Sequence, residues 1–120
     1  MIPFLDVKAS YVELKPEIDA AVARVLDSGQ YIDGEEVVAF EAEWAAYCGA
    51  GHCVGTGNGL DALTLAVRAC GIGPGDGVIV PSNTYIATWL AVSAVGATPQ
   101  PVEQDPVTYN IDTSRIAAAV

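Results

Sequence analysis

The sequence predicts an α/β fold with a mainly parallel sheet, on three observations. Residues 52–102 alternate between short apolar runs and runs of helical period, in the order β-α-β-α-β. Positions 77–102 carry no charged residue, as buried strands and their crossover helix require. Glycine and proline punctuate the transitions. Such alternation calls for parallel strands joined by crossover helices that cover the sheet.

The elements follow in order. Pro16 suits a first helical position, and Ile18, Val22, Val25 and Leu26 recur at helical spacing until Ser28-Gly29, which predicts a helix over 16–27. After the loop at 30–34, Glu35 and Glu36 suit a helix N-terminus, and Val37, Phe40, Trp44 and Tyr47 share a stripe that ends near Gly49. Residues 52–56 read as a short strand. Asn58 then caps a helix whose Leu60, Leu63 and Val67 face inward until Gly71. The turn Gly73-Pro74-Gly75-Asp76 feeds a strand over 77–80 that Pro81 ends. A helix over about 85–95, apolar nearly all round, leads through Gly96 to a strand at 98–102. Beyond Asp112 another helix opens, and the sequence stops inside its alanine run, as a fragment of a longer domain does.

Composition narrows the function. A chain of 120 residues, 52% hydrophobic, normally makes one domain with a buried core. Fifteen acidic residues against five basic ones give a net charge of -10, which repels nucleic-acid phosphates and anionic membranes. Residues 1–6 show no secretory pattern, so the expected compartment is the cytoplasm. The uncharged stretch is broken by Pro81, Ser82, Asn83, Pro99, Gln100 and Pro101, which disqualifies it as a membrane span. Cys48, Cys53 and Cys70 are odd in number and form no CxxC pair, so they read as reduced core thiols. With His52 they make a conceivable zinc set. The paired short spacing of zinc ligands is missing, however, and positions 52 and 53 of a strand point to opposite faces; no metal is expected.

Ligands of open parallel sheets bind at the carboxyl ends of the strands. Here those ends are Thr56-Gly57-Asn58-Gly59 and Pro81-Ser82-Asn83-Thr84-Tyr85, adjacent if the two strands are neighbours. Glycines around Asn58 admit a close ligand, and the following helix directs free N-H groups at an anion. Asn58 with Asp61 is also a capping-box variant, which needs no ligand. Asp61 would oppose a phosphate if it pointed inward, so it is read as favouring the helix dipole from outside. Tyr85 offers a face to a flat heteroaromatic ring, or packs as an ordinary core tyrosine. Trp89, one turn further on, reads as core. Tyr31, in the loop 28–34 between two glycines, faces a substrate or simply connects helices, and Tyr109-Asn110 carries the same ambiguity. A Rossmann module is disfavoured because Gly55-Thr56-Gly57-Asn58-Gly59 lacks GxGxxG spacing and no acid ends the next strand.

Four stretches together resemble the DegT/DnrJ/EryC1/StrS sugar aminotransferases: Ser28-Gly29-Gln30-Tyr31-Ile32, Gly57-Asn58-Gly59-Leu60-Asp61-Ala62-Leu63, Gly71-Ile72-Gly73-Pro74-Gly75-Asp76 and Pro81-Ser82-Asn83-Thr84-Tyr85-Ile86-Ala87-Thr88-Trp89. The opening Ile2-Pro3-Phe4-Leu5-Asp6 and the late Thr108-Tyr109-Asn110-Ile111-Asp112 fit as well. The resemblance implies a pyridoxal-phosphate (PLP) enzyme of fold type I, the aspartate aminotransferase architecture. Residues 1–50 would be its N-terminal helical segment and 51–120 the beginning of its large PLP-binding domain. It further implies a homodimer with active sites at the subunit interface. Asn58 and Gly59 would then bind the cofactor phosphate, Tyr85 would stack on the pyridine ring, and Tyr31 would lie near the sugar or the partner subunit.

The implied chemistry is ping-pong transfer of an amino group, with glutamate as the family's usual donor, to a nucleotide-linked keto-deoxysugar. The Asn-Gly-Leu-Asp-Ala-Leu and Asn-Thr-Tyr-Ile-Ala-Thr-Trp versions resemble members working on thymidine-diphosphate (dTDP) carriers. A lysine holds the cofactor in that family, and Lys8 and Lys15, the only lysines here, match no such position. The family lysine falls downstream of residue 120, so 1–120 alone is expected to be inactive and to contain no catalytic residue. Two other readings stand beside it: a dehydratase of the same family, in which histidine replaces the lysine, and a non-catalytic truncated product.

Overall fold

The computed structural model of the chain describes residues 4–120, so the Ile2-Pro3 part of the opening motif lies outside the described residues. It contains two compact units, Met1–Gly55 and Thr56–Val120.

The first unit is helical: α1 (Val7–Glu13), α2 (Lys15–Ser28) and α3 (Glu35–Cys48). The helix α1 was not expected from the sequence; Asp6 starts it by accepting the Lys8 amide at 3.1 Å. The helix α2 begins one residue before the predicted proline, still within the first turn, where the missing N-H of Pro16 costs nothing. It stops where Gly29 takes a φ of 68°, a conformation glycine adopts without strain. Arg24 donates to Glu36 at 2.6 Å and so ties α2 to α3.

Among the described residues of this unit only Ala45 is buried. Phe40, Trp44 and Tyr47 lie along one face of α3 with ring centroids 5.8 and 5.5 Å apart, yet all three are exposed. The apolar stripes of the sequence are present, but within this unit they find little to pack against. Cys48 and Cys70 are exposed and Cys53 half-buried, which corrects their reading as core thiols. Cys48 ends α3 and Cys70 caps the next helix, so both stand at helix ends.

The expected strand at 52–56 does not form. A strand exists through its ladder, and this segment pairs with no other; instead the Gly55 amide donates to Glu41 Oε1 at 2.6 Å. The β-α-β-α-β order is therefore reduced to two strands.

The second unit holds α4 (Gly59–Ala69), β1 (Gly77–Pro81), α5 (Ala87–Ala94), β2 (Thr98–Val102) and a final turn of 3-10 helix (Thr113–Ala118), where the sequence suggested α-helix. The strands β1 and β2 are parallel, in register from Gly77 against Thr98 to Pro81 against Val102. The Thr98 amide reaches the Asp76 carbonyl and the Ser82 amide reaches the Val102 carbonyl, both at 2.9 Å. Backbone groups alternate sides along a strand, so Pro99 and Pro101 face away from β1. That edge of β2 has few donors and resists further pairing, whereas Gly77 and Ile79 keep their N-H groups on the free edge of β1.

The core of this unit is Val80, Val92 and Ala97, packed with Ile72, Val78, Trp89 and Val95. The helix α4 packs on α5, and α5 on both strands. Of α5, Ala91 and Val92 are buried while Leu90, Ser93 and Ala94 are exposed, so a helix apolar nearly all round is covered on one side. It begins at Ala87, two residues later than expected, because Tyr85 belongs to the turn that precedes it. No described helix is long and apolar enough to cross a membrane, and among the described residues no three His, Cys, Asp or Glu side chains are grouped to hold a metal.

After β2 the chain turns on two aspartates. Asp105 Oδ1 accepts the amides of Thr108 at 2.7 Å and Val107 at 2.9 Å, with Tyr109 at a φ of 59°. Asp112 accepts the Ser114 hydroxyl at 2.6 Å and starts the 3-10 helix. The Thr108 amide, then that of Val107, holds the Asp105 carboxyl below its ordinary value of 3.8, and the Ser114 hydroxyl does the same for Asp112. A lowered folded value means that each contributes stability above the unfolded value, and loses it as pH falls through the folded one. Acid titration followed by NMR is expected to move the Val107 and Thr108 amides together, with a midpoint below 3.8. A midpoint at or above that value would show that these bonds do not form.

Candidate functional site

The N-terminus of α4 is built by Asn58. Its side-chain oxygen accepts the Asp61 amide at 2.9 Å, and its side-chain nitrogen donates to Asp61 Oδ2 at 2.8 Å. The reciprocal cap expected from the Asn-x-x-Asp spacing is therefore formed, and it occupies the Asn58 side chain. Asp61 turns back toward this cap, close enough that a Cβ on Gly57 would lie 3.5 Å from its carboxylate. Asp61 is thus an exposed acid in the first turn, where its charge favours the helix dipole as expected, and its carboxylate in addition accepts from the capping amide.

What the cap leaves over is backbone. The Gly59 and Leu60 amides have no acceptor among the described residues. A Cβ built on Gly59 meets nothing within 4 Å, so the helix opens onto free space beside two donors. The helix has eleven residues, long enough for its dipole to add to those donors.

The second expected strand end is the loop from Ser82 to Ile86. Tyr85 is 81% exposed, so its ring is no core residue. Its carbonyl accepts the Thr88 amide at 3.0 Å at the entry to α5. Asn58, Gly59 and Tyr85 thus belong to one unit and stand at the starts of two helices that pack on each other.

Tyr31 lies in the other unit, 67% exposed. It lines a cavity of about 440 Å³ with Arg24, Ser28, Gln30 and Glu36. Asp33, at a φ of 49°, bends this loop, and its carbonyl accepts from Gln30.

Both lysines are in that unit. Lys15 is paired with Asp19 and lies 5.3 Å from the Tyr11 ring. Its hydrogen bond to Asp19, then Tyr11, raises its pKa, which keeps it an ammonium ion and a poor nucleophile. Lys8 is on exposed α1.

The donor set fits a phosphorylated heteroaromatic cofactor. Two unpartnered amides and open space at Gly59 suit a phosphate, and the bare phenol of Tyr85 suits a flat ring. The Asp61 charge opposes the anion, but the Asn58 amide partly satisfies it. The Asn-x-x-Asp spacing announced the pairing of Asn58 with Asp61; what it did not show is that the Asp61 carboxylate takes the Asn58 side-chain N-H.

Comparison with known proteins adds an independent line. Residues 12–120 match the model of the DegT/DnrJ/EryC1/StrS aminotransferase family. The chain is 68% identical over 102 residues to dTDP-3-amino-3,4,6-trideoxy-alpha-D-glucose transaminase of Streptomyces venezuelae, covering 85% of the chain and 27% of that relative. The crystal structure of S. venezuelae DesV in complex with a ketimine intermediate superposes with a TM-score of 0.94 at 60% identity, over 99% of this chain and 32% of that one. NtdA of Bacillus subtilis with bound cofactor PMP gives a TM-score of 0.88 at 33% identity, over 99% of this chain and 28% of that one. The chain therefore spans about a third of the length of the proteins it matches.

Proposed function

The chain belongs to the DegT/DnrJ/EryC1/StrS aminotransferase family, and on that premise we propose that the whole protein is a PLP enzyme that moves an amino group from glutamate to a dTDP-linked keto-deoxysugar. The observation that carries this reading is the start of α4. It offers two unpartnered amides beside open space, in a chain 68% identical to a dTDP-sugar transaminase.

In this reading the Gly59 and Leu60 amides hold the cofactor phosphate, and the Asn58 side chain, bonded to Asp61, holds that turn in shape. Tyr85 covers one face of the ring and keeps water from it. Tyr31 faces the sugar or the partner subunit of a homodimer. Once bound, the cofactor supplies an electron sink for breaking and making the bonds to nitrogen. Residues 1–50 form the N-terminal helical segment and 51–120 the beginning of the cofactor domain. Exposed Phe40, Trp44 and Tyr47 favour assembly, because apolar faces of this kind call for cover. Three free cysteines fit the reducing cytoplasm.

With PLP, glutamate and a dTDP-linked keto-deoxysugar, the whole protein is expected to release 2-oxoglutarate and an amino sugar. Borohydride reduction and peptide mapping are expected to place the cofactor on a lysine outside 1–120. Label on Lys8 or Lys15, or dehydration of the sugar without amine transfer, would overturn the proposal.

A further inference from the structure

We infer that Trp89 is a positioning residue for Tyr85, holding the loop that carries the exposed phenol through an indole hydrogen bond to the end of β1. The inference rests on the reading of Tyr85 as the cover of the cofactor ring. The loop is fastened at three points. The Ser82 amide donates to the Val102 carbonyl at 2.9 Å, the Thr84 and Thr88 hydroxyls meet at 3.0 Å, and Trp89 Nε1 donates to the Pro81 carbonyl at 3.3 Å.

These fastenings differ in kind. The first is backbone and forms with almost any side chain at position 82. The second spans a single helical turn and leaves the loop free to move with α5. Only the third joins the strand before the loop to the helix after it through one side chain. Along β1 the backbone groups of Asp76 and Ser82 point to β2, so those of Pro81 point away from it and β2 cannot use its carbonyl. The indole N-H takes it.

The rest of the Trp89 ring is packed against the cluster of Val80, Val92 and Ala97, so its N-H is aimed by the core. Tyr85, four residues earlier, makes no such contact of its own and is set only by its backbone. Tryptophan alone among the apolar residues fills this place and donates a hydrogen bond. Phenylalanine would keep most of the packing and lose the donor.

The test is a double-mutant cycle on PLP binding by the whole protein, read from the induced circular dichroism of the cofactor. Trp89→Phe is expected to weaken binding about five-fold, the amount one neutral hydrogen bond contributes. On a Tyr85→Ala background the same change is expected to have no further effect. Equal weakening on both backgrounds would show that Trp89 only packs, and would overturn the inference. So would unchanged binding in Trp89→Phe when Tyr85→Ala alone weakens it. Unchanged binding in Tyr85→Ala would overturn the reading of Tyr85 together with the inference. Should Trp89→Phe not fold, benzothienylalanine at position 89 keeps the ring shape and removes only the N-H. It is expected to give the same loss, and full binding by that variant would overturn the inference.

Discussion

Tyr85→Ala in the whole protein is expected to weaken PLP binding by about one to two orders of magnitude while leaving the melting temperature unchanged. Removing an aromatic face from a heteroaromatic ring costs about 1–3 kcal/mol where such stacking has been measured by alanine substitution. The ring of Tyr85 is 81% exposed, so its loss takes nothing from the core. Its hydroxyl has no hydrogen-bond partner among the described residues, so Tyr85→Phe is expected to retain the cofactor. Equilibrium dialysis of PLP beside thermal denaturation separates the two quantities. A fall in melting temperature with unchanged affinity would make Tyr85 a structural residue.

Val80→Asp has the opposite signature. Val80 is 2% exposed at the centre of β1, among Val92, Ala97, Val78 and Trp89. An aspartate there is a buried charge in an apolar cluster, since the residues packed together at this point are Val92, Ala97, Ile72, Val78, Trp89 and Val95. An uncompensated buried charge costs about 3–5 kcal/mol, a large part of the 5–15 kcal/mol that holds a typical domain together. The pair β1 and β2 is expected to open and α5 to lose its support, with loss of amide protection across 77–102. Cofactor binding falls as well, but through unfolding. Retained protection in this variant would show that Val80 is not central to the core.

The contrast between these residues follows where the sequence was legible. Boundaries of α2, α3 and α4 were readable to within about two residues because caps and stops act over one turn: Gly29, Gly49 and Asn58 satisfy nearby groups whatever lies elsewhere. The family was readable because its motifs are contiguous. The turn at Asn58 was readable as a cap, and the capping bond is local.

Pairing and burial were not readable in the same way. Residues 52–56 have the composition of a strand, yet whether they form one depends on a partner that position and pattern do not reveal. Cys48 and Cys70 look like core residues by type and are exposed by place. Tyr85 and Trp89 are both large aromatics one helical turn apart, and nothing in their identity says that one is bare while the other bonds to Pro81. Local backbone chemistry within a few residues set the helices and the cap from composition and spacing alone. The exposed phenol, the buried valine, the lack of a strand at 52–56 and the indole bond were decided by contacts across the chain, because burial and ladder pairing require a second surface that no short stretch contains.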